Sequence, residues 1–249
     1  MSHNAIAASG VCKRFDGQFA LDGLSLSVAA GEFFGLVGGN GAGKTTLIKC
    51  ILDFCHMDDG TIEIFGRRRA DVQARAALAY LPERFSPPHF LTGREFLRTM
   101  AQFYDNPWDN AAAEELSIGL DMEPTALDKP IRALSKGMTQ KLGLAASLLS
   151  GRALLLLDEP MSGLDPQARI LLKRRLVRLK QQQGTTLFFN THLLADVAEI
   201  CDRMGVLHRG RLCFVGTPTA CMTRYGGATL EESYLHCIQA ETASRAPAL

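Results

Sequence analysis

Charge of one sign is scarce in this 249-residue sequence: 27 Lys and Arg against 26 Asp and Glu leave a formal net charge of +1. That balance supplies no basic face for nucleic acid, so no nucleic-acid partner is expected. No apolar run approaches the roughly 20 residues of a membrane span. Residues 1–9 lack the charged and apolar regions of a signal peptide, so a cytoplasmic protein is expected, with any membrane contact supplied by a partner. The 7 cysteines (12, 50, 55, 201, 213, 221 and 237) are odd in number and form no Cys-x-x-Cys. They read as reduced thiols in a reducing compartment. Cys50, Cys55 and His56 are neighbours in sequence, yet no second ligand pair follows at zinc spacing, so they read as a helix end.

What is present is enough for one large α/β domain, with 47% hydrophobic and 21% charged residues. Its organising stretch is Gly38-Gly39-Asn40-Gly41-Ala42-Gly43-Lys44-Thr45-Thr46. The pattern G-x-x-x-x-G-K-[ST] is complete, an apolar strand (residues 33–37) precedes it, and a helix over 46–52 follows. Glycines let the backbone curl until successive N–H groups face a di- or triphosphate, and the helix N-terminus adds partial positive charge. Lys44 is placed to reach the β- and γ-phosphates, and the Thr45 hydroxyl to ligate Mg²⁺.

Residues 4–36 form an antiparallel β region turning at Asp16-Gly17, and Phe15 before that turn is either core packing or a platform for an adenine ring. Short strands follow at 61–65 and 79–81, the latter broken by Pro82-Glu83. From about residue 84 to 132 the pattern becomes helical, with a capping box Thr92-x-x-Glu95. Phe85, Phe90 and Leu91 there either cover the core or form an apolar contact surface. Ser135 is an N-cap for a helix reaching about 149. Residues 153–157 are wholly apolar, as in a central parallel strand. Asp165 then caps a helix with Pro166 at its first position, ending at Gly184. A strand over 185–189, a hairpin over 206–215, a helix over 229–238 and a disordered tail over 239–249 are expected beyond it.

Carboxylates at the C-terminal end of a buried parallel strand lie where open α/β sheets bind ligands. Asp158 there would hold Mg²⁺, mostly through water. Glu159 would polarise a water for in-line attack on the γ-phosphate. His192, after the 185–189 strand, falls on the same rim, where it would stabilise charge in the transition state.

With these motifs the sequence resembles the nucleotide-binding (ATPase) subunit of an ATP-binding cassette (ABC) transporter over about residues 6–238. Leu134-Ser135-Lys136-Gly137-Met138 resembles the family's signature, usually LSGGQ. Ser162-Gly163-Leu164-Asp165 matches the D-loop, Thr191-His192 the switch histidine, and Phe15 the adenine-stacking aromatic. Glu83 takes the place of the usual Q-loop glutamine, and a carboxylate donates no hydrogen bond unless protonated, which bears on its handling of water and Mg²⁺.

The resemblance implies a P-loop NTPase core: a mostly parallel sheet flanked by helices, with an N-terminal antiparallel β subdomain and an inserted α-helical subdomain. Residues 4–83 and 153–238 would be the core and 84–152 the insert. It further implies ATP and Mg²⁺, with Lys44, Glu159 and His192 catalytic, Ser135 and Gly137 of the signature completing the site of a second nucleotide-binding subunit (a homodimer being expected), Asp165 of the D-loop binding nucleotide, and Glu83 binding nucleotide and metal. The partner would be an integral membrane permease, holding the chain on the inner face of the cell membrane. LSKGM with Pro82-Glu83 resembles the export branch. A soluble ABC ATPase acting on nucleic acid, ribosomes or protein assembly is the alternative; a regulatory module without turnover is disfavoured by Glu159 and His192.

Overall fold

Alternating burial over the first segments builds two long strands, β1 (Asn4–Phe15) and β2 (Gln18–Ala29), in the computed structural model, which describes residues 4–243. Asp16 and Gly17, at φ of 48° and 79°, make the tight turn between them. The fully buried β3 (Phe33–Val37) leads into the glycine loop. From the loop rises α1 (Lys44–Ile51), which starts two residues before the expected 46 because Gly43 serves as its N-cap. Next come β4 (Asp59–Ile64), the two-residue β5 (Arg67–Arg68), α2 (Val72–Ala76) and β6 (Leu78–Leu81).

The capping box opens α3 (Gly93–Phe103): Thr92 N–H donates to Glu95 Oε2 at 2.8 Å and Glu95 N–H to Thr92 Oγ1 at 3.2 Å. Asp109 caps α4 (Asn110–Gly119), and Ser135 caps α5 (Lys136–Leu149). After the buried β7 (Leu154–Asp158), α6 (Pro166–Gln183) runs from its Asp165 cap to Gly184, whose φ of 62° ends it. The remaining elements are β8 (Thr186–Thr191), α7 (Leu194–Ile200), β9 (Arg203–His208), β10 (Arg211–Gly216), α8 (Pro218–Tyr225) and α9 (Leu230–Ala243).

The chain divides into two compact units, one of residues up to Ala77 together with those from Thr186 onward, the other of Leu78–Thr185. The first holds an antiparallel sheet in the order β2-β1-β4-β5, and strands in the order β10-β9-β3-β8. In that second set β3 runs parallel to both β8 and β9, and β10 turns back against β9. Phe34 and Phe188 stack at 5.7 Å between centroids in its core. The second unit pairs β6 with β7 in parallel and carries α3–α6. It is wider than the 84–152 insert expected from the sequence, since the β6–β7 pairing draws both strands into the same group of contacts as the helices. No helix among the described residues is long and apolar enough to cross a membrane.

The last helix differs from the sequence-based expectation. It continues to Ala243, five residues past the expected 238, because Gln239, Ala240 and Glu241 are good helix formers and Thr242 Oγ1 donates back to the Ile238 carbonyl at 2.9 Å. Residues 239–243 are therefore helical rather than tail; 244–249 lie outside the described residues.

Candidate functional site

In the first unit, β3 and β8 keep register from Phe33 opposite Leu187 to Val37 opposite Thr191. Gly38 and His192, the next residues on the two strands, therefore leave the sheet at one edge. His192 is exposed there. The loop from Gly38 to Gly43 is held by its backbone: Ala42 N–H donates to Gly39 O at 3.2 Å, and Gly210 N–H to Ala42 O at 2.9 Å.

Side chains are shut out of this loop at two points. A Cβ on Gly38 would stand 2.4 Å from the Leu207 carbonyl oxygen, and one on Gly43 would stand 2.4 Å from that of Ala20. Gly43 also holds φ at 110°, a conformation that L side chains rarely adopt. Gly39, Asn40 and Gly41 face solvent, Ala42 is buried, and Thr45 and Thr46 are half-buried at the start of α1.

Lys44 is only 8% exposed, and its ammonium donates to Gly38 O at 2.7 Å and Gly39 O at 3.2 Å. A primary ammonium thus lies inside a ring of backbone at a helix N-terminus with no acidic residue in its first turn. Such a place suits an anion of phosphate size. Phe15, at the hairpin, is 51% exposed, and the Lys13 ammonium sits 5.1 Å from its ring centroid. Lys13 is in turn paired with Asp58 at 3.2 Å.

The second unit holds the carboxylates. Asp158 ends β7 and is buried. Glu159 follows at a φ of 50°, left-handed geometry that a non-glycine residue adopts at a cost and that clusters at functional positions. The turn beyond it is closed by Ser162 N–H donating to Glu159 O at 3.0 Å. Tyr80 on β6 stands beside both Asp158 and Glu83: burial first, then these two charges, push its hydroxyl up to about 12. Glu83 itself is exposed.

Ser135 and Gly137 open α5. A Cβ on Gly137 would lie 3.2 Å from the Gly163 carbonyl oxygen, so the signature turn rests against the D-loop of its own unit. Lys141 ties the same two segments together, donating to Asp121 O at 2.7 Å and lying 3.8 Å from Asp165. The Asp165 carboxylate is held below the usual range, chiefly by the Ala168 N–H it accepts at 2.9 Å.

In the first unit the β3–β8 register sets His192 beside the 38–46 loop, with Phe15 at the β1–β2 hairpin. In the second, Tyr80 stands beside Glu83 and Asp158, which Glu159 follows, while Ser135 and Gly137 open α5 next to the segment leading to Asp165. Three further contributors carry no signal in the sequence. Tyr80 is there only a strand residue, and Lys141 only a helix residue. Tyr234 on α9 is the third: burial raises its hydroxyl, while the Gly39 N–H directed at its oxygen works the other way. The Thr45 hydroxyl of the first unit and, separately, the Asp158 carboxylate of the second are hard oxygens of the kind that suit Mg²⁺.

The family model described as "ABC transporter" matches residues 21–162. An uncharacterized ABC transporter ATP-binding protein of Synechocystis sp. is 41% identical over 202 residues, covering 80% of this chain and 56% of that protein. Another, of Nostoc sp., is 40% identical over 202 residues and is covered over 60% of its length. The chain therefore spans less than two thirds of these two relatives. The Nod factor export ATP-binding protein I of Ralstonia nicotianae is 34% identical over 235 residues, 92% of this chain and 72% of that protein.

Among solved structures, an ATP-binding subunit of an ABC transporter overlays with a TM-score of 0.84 at 32% identity, covering 94% of this chain and 99% of the other. The same P-loop NTPase architecture, a mixed sheet with helices and an antiparallel sheet at the N-terminus, is common to both. A family match across more than half the chain and an overlay along nearly its whole length lead to one conclusion: this chain belongs to the ABC transporter family, among its ATP-binding proteins.

Proposed function

We propose that this chain binds and hydrolyses ATP as one of two cassettes that drive a membrane permease, in the export direction. The observation that carries the reading is the backbone ring from Gly38 to Gly43, closed to side chains at its two ends, Gly38 and Gly43, and holding the Lys44 ammonium against two of its own carbonyls. A triphosphate entering the ring replaces those carbonyls as the acceptor for Lys44, and the backbone N–H groups take its β-phosphate. Phe15 stacks on the base.

In the chemical step a water oxygen attacks the γ-phosphorus in line, the bond to the β-bridging oxygen breaks, and ADP leaves. Glu159 accepts the proton of the attacking water. His192 donates to the γ-phosphoryl oxygens as charge develops on them. Thr45, Asp158 and Glu83 would hold Mg²⁺, which would supply charge neutralisation at the phosphates. Ser135 and Gly137 serve the nucleotide of the second cassette, consistent with a helix N-terminus at which they are exposed or half-buried. Export is supported by the likeness to Nod factor export ATP-binding proteins, at 34% and 37% identity.

The test is Glu159→Gln in the full chain. It is expected to bind ATP as the parent does, associate with a second copy, and hydrolyse about 10²–10⁴-fold more slowly. Brisk turnover would remove Glu159 from the role of base. The same variant, tagged and recovered from detergent-solubilised membranes with ATP, is expected to bring down a polytopic membrane protein in stoichiometric amount. Recovery of soluble partners alone would remove the transporter reading and leave the ATPase chemistry standing.

A further inference from the structure

Lysine is almost never buried without a reason, yet Lys141 on α5 is only 7% exposed. Its ammonium donates to Asp121 O at 2.7 Å and to Asp121 Oδ2 at 3.3 Å, and lies 3.8 Å from Asp165 Oδ2. Asp121 stands in the turn after α4 at a φ of 58°, and its other carboxylate oxygen accepts from Gln167 Nε2 at 3.1 Å. Asp165 caps α6, accepting from the Ala168 N–H at 2.9 Å. One cation therefore joins the turn after α4, the middle of α5 and the start of α6.

Lys141 follows Gly137 by four residues, so the two share a face of α5. The segment Gly163-Leu164-Asp165 runs along that face. The Gly163 carbonyl oxygen stands 3.2 Å from the place of a Cβ on Gly137, and Asp165 stands at Lys141. The signature turn and the loop before α6 are thus matched at two points about 6 Å apart along the helix. Ser135 belongs to the same body, since its hydroxyl caps α5 by accepting from the Met138 N–H at 3.2 Å.

Stability alone does not ask for an ammonium here. Apolar side chains of similar volume often replace a buried ion pair at no cost. The Asp121 and Asp165 side chains are 39% and 54% exposed, so each keeps water if the cation is removed. What the charge adds is direction, because its acceptors belong to two different loops.

We infer that Lys141 is a positioning residue: it keeps the loop carrying Asp165 in register with the signature turn of Ser135 and Gly137, so that both meet the nucleotide of the second cassette as one surface. The inference rests on the two-cassette ATPase reading above and names the residue that holds that surface together. All the contacts of Lys141 lie within the second unit, away from the 38–46 loop of its own chain. Lys141 accordingly acts on the nucleotide bound by the other cassette.

The test uses full-length chains. Lys141→Met keeps the length of the side chain and removes its charge. It is expected to bind a fluorescent ATP analogue as the parent does and to hydrolyse ATP about 10- to 100-fold more slowly, since a misplacement of about 1 Å can cost the upper figure. Lys141→Arg keeps a cation with several donors and is expected to restore turnover. Lys141→Met is then mixed with Glu159→Gln and followed through a single turnover. In a mixed pair, the nucleotide on the Lys141→Met chain has its own Glu159 and meets an unaltered Lys141 from the other chain. A phase at the parent's rate is therefore expected that neither variant shows alone. Should Lys141→Met not fold, the neutral but polar Lys141→Gln takes its place in the same mixture. Parental turnover in the neutral variant, lost ATP binding, an arginine variant as slow as the neutral one, or a mixture without the fast phase would overturn the inference. Failure of the two-cassette reading shows differently: the parent itself would neither hydrolyse ATP nor pair with a second copy.

Discussion

The phosphate loop can be interrogated one methyl group at a time, because its glycines differ in what surrounds them. Gly39 has no positive φ and nothing within 4 Å of an added Cβ. Gly41 has φ at 76° and equally open space, and Gly43 has φ at 110° with the Ala20 carbonyl oxygen 2.4 Å from the added carbon. Three alanine substitutions therefore separate three costs. Gly39→Ala meets neither strain nor clash and should change stability by less than about 0.5 kcal/mol. Gly41→Ala pays for left-handed backbone alone, about 1–2 kcal/mol. Gly43→Ala adds to its backbone strain of about 1–3 kcal/mol an overpacking penalty of about 1–3 kcal/mol.

The clash at Gly43 cannot be relieved by a side-chain rotation, since its nearest neighbour is main chain in β2. The loop itself must move. Urea unfolding at unchanged slope should place the three variants in that order, and a fluorescent ATP analogue should show Gly39→Ala binding as the parent does and Gly43→Ala hardly at all. The reasoning is refuted if Gly39→Ala is as damaging as Gly43→Ala, because the cradle would then tolerate no methyl for some reason other than these contacts.

Further expectations follow from other parts of the chain. Glu159→Gly should stabilise the protein by about 1 kcal/mol by releasing the left-handed strain at φ 50° while hydrolysis is lost; a destabilised variant in thermal melts would show that the turn is not strained. Thr92→Ala removes one side of the capping box and should cost about 1 kcal/mol, read from the unfolding midpoint. Burial pushes the Cys50 thiol up to about 12 and Cys221 to about 11, so iodoacetamide near pH 8 should label the half-buried Cys55 and Cys213 and spare Cys50 and Cys221 in peptide mass spectra. Asp165, with its folded value depressed, stabilises the protein above the unfolded carboxylate range near about 4, and that contribution is lost as pH falls through the lower folded value. The stability gap between the parent and Asp165→Ala should therefore be widest at neutral pH and close in acid; a gap that persists to low pH would assign the effect to something other than the charge.

Much of the site is legible in the sequence because its chemistry is local. The glycine spacing before Lys44, Thr92 with Glu95, Asp165 with Pro166, and Gly184 at a helix end each state a backbone requirement met within four residues, and the fold meets each of them in place. The apolar run ending at Asp158 names its own burial. Short elements are less visible: α2, α7 and α8 are only one or two turns long, too short for a hydrophobic period to declare itself.

Which distant atoms close each space is settled by tertiary structure alone. The carbonyls that shut Gly38 and Gly43 to side chains belong to Leu207 and Ala20, and the register of β3 with β8 is what sets His192 beside the loop. Tyr80 becomes part of the carboxylate site only because β6 pairs with β7, and Gln140 becomes a buried, unsatisfied donor only where α5 lies beside the segments carrying Phe85 and Ile131. An amino-acid sequence states what each residue can offer within its own turn of chain; burial and strand pairing, which join residues tens to hundreds apart, determine which of those offers meet.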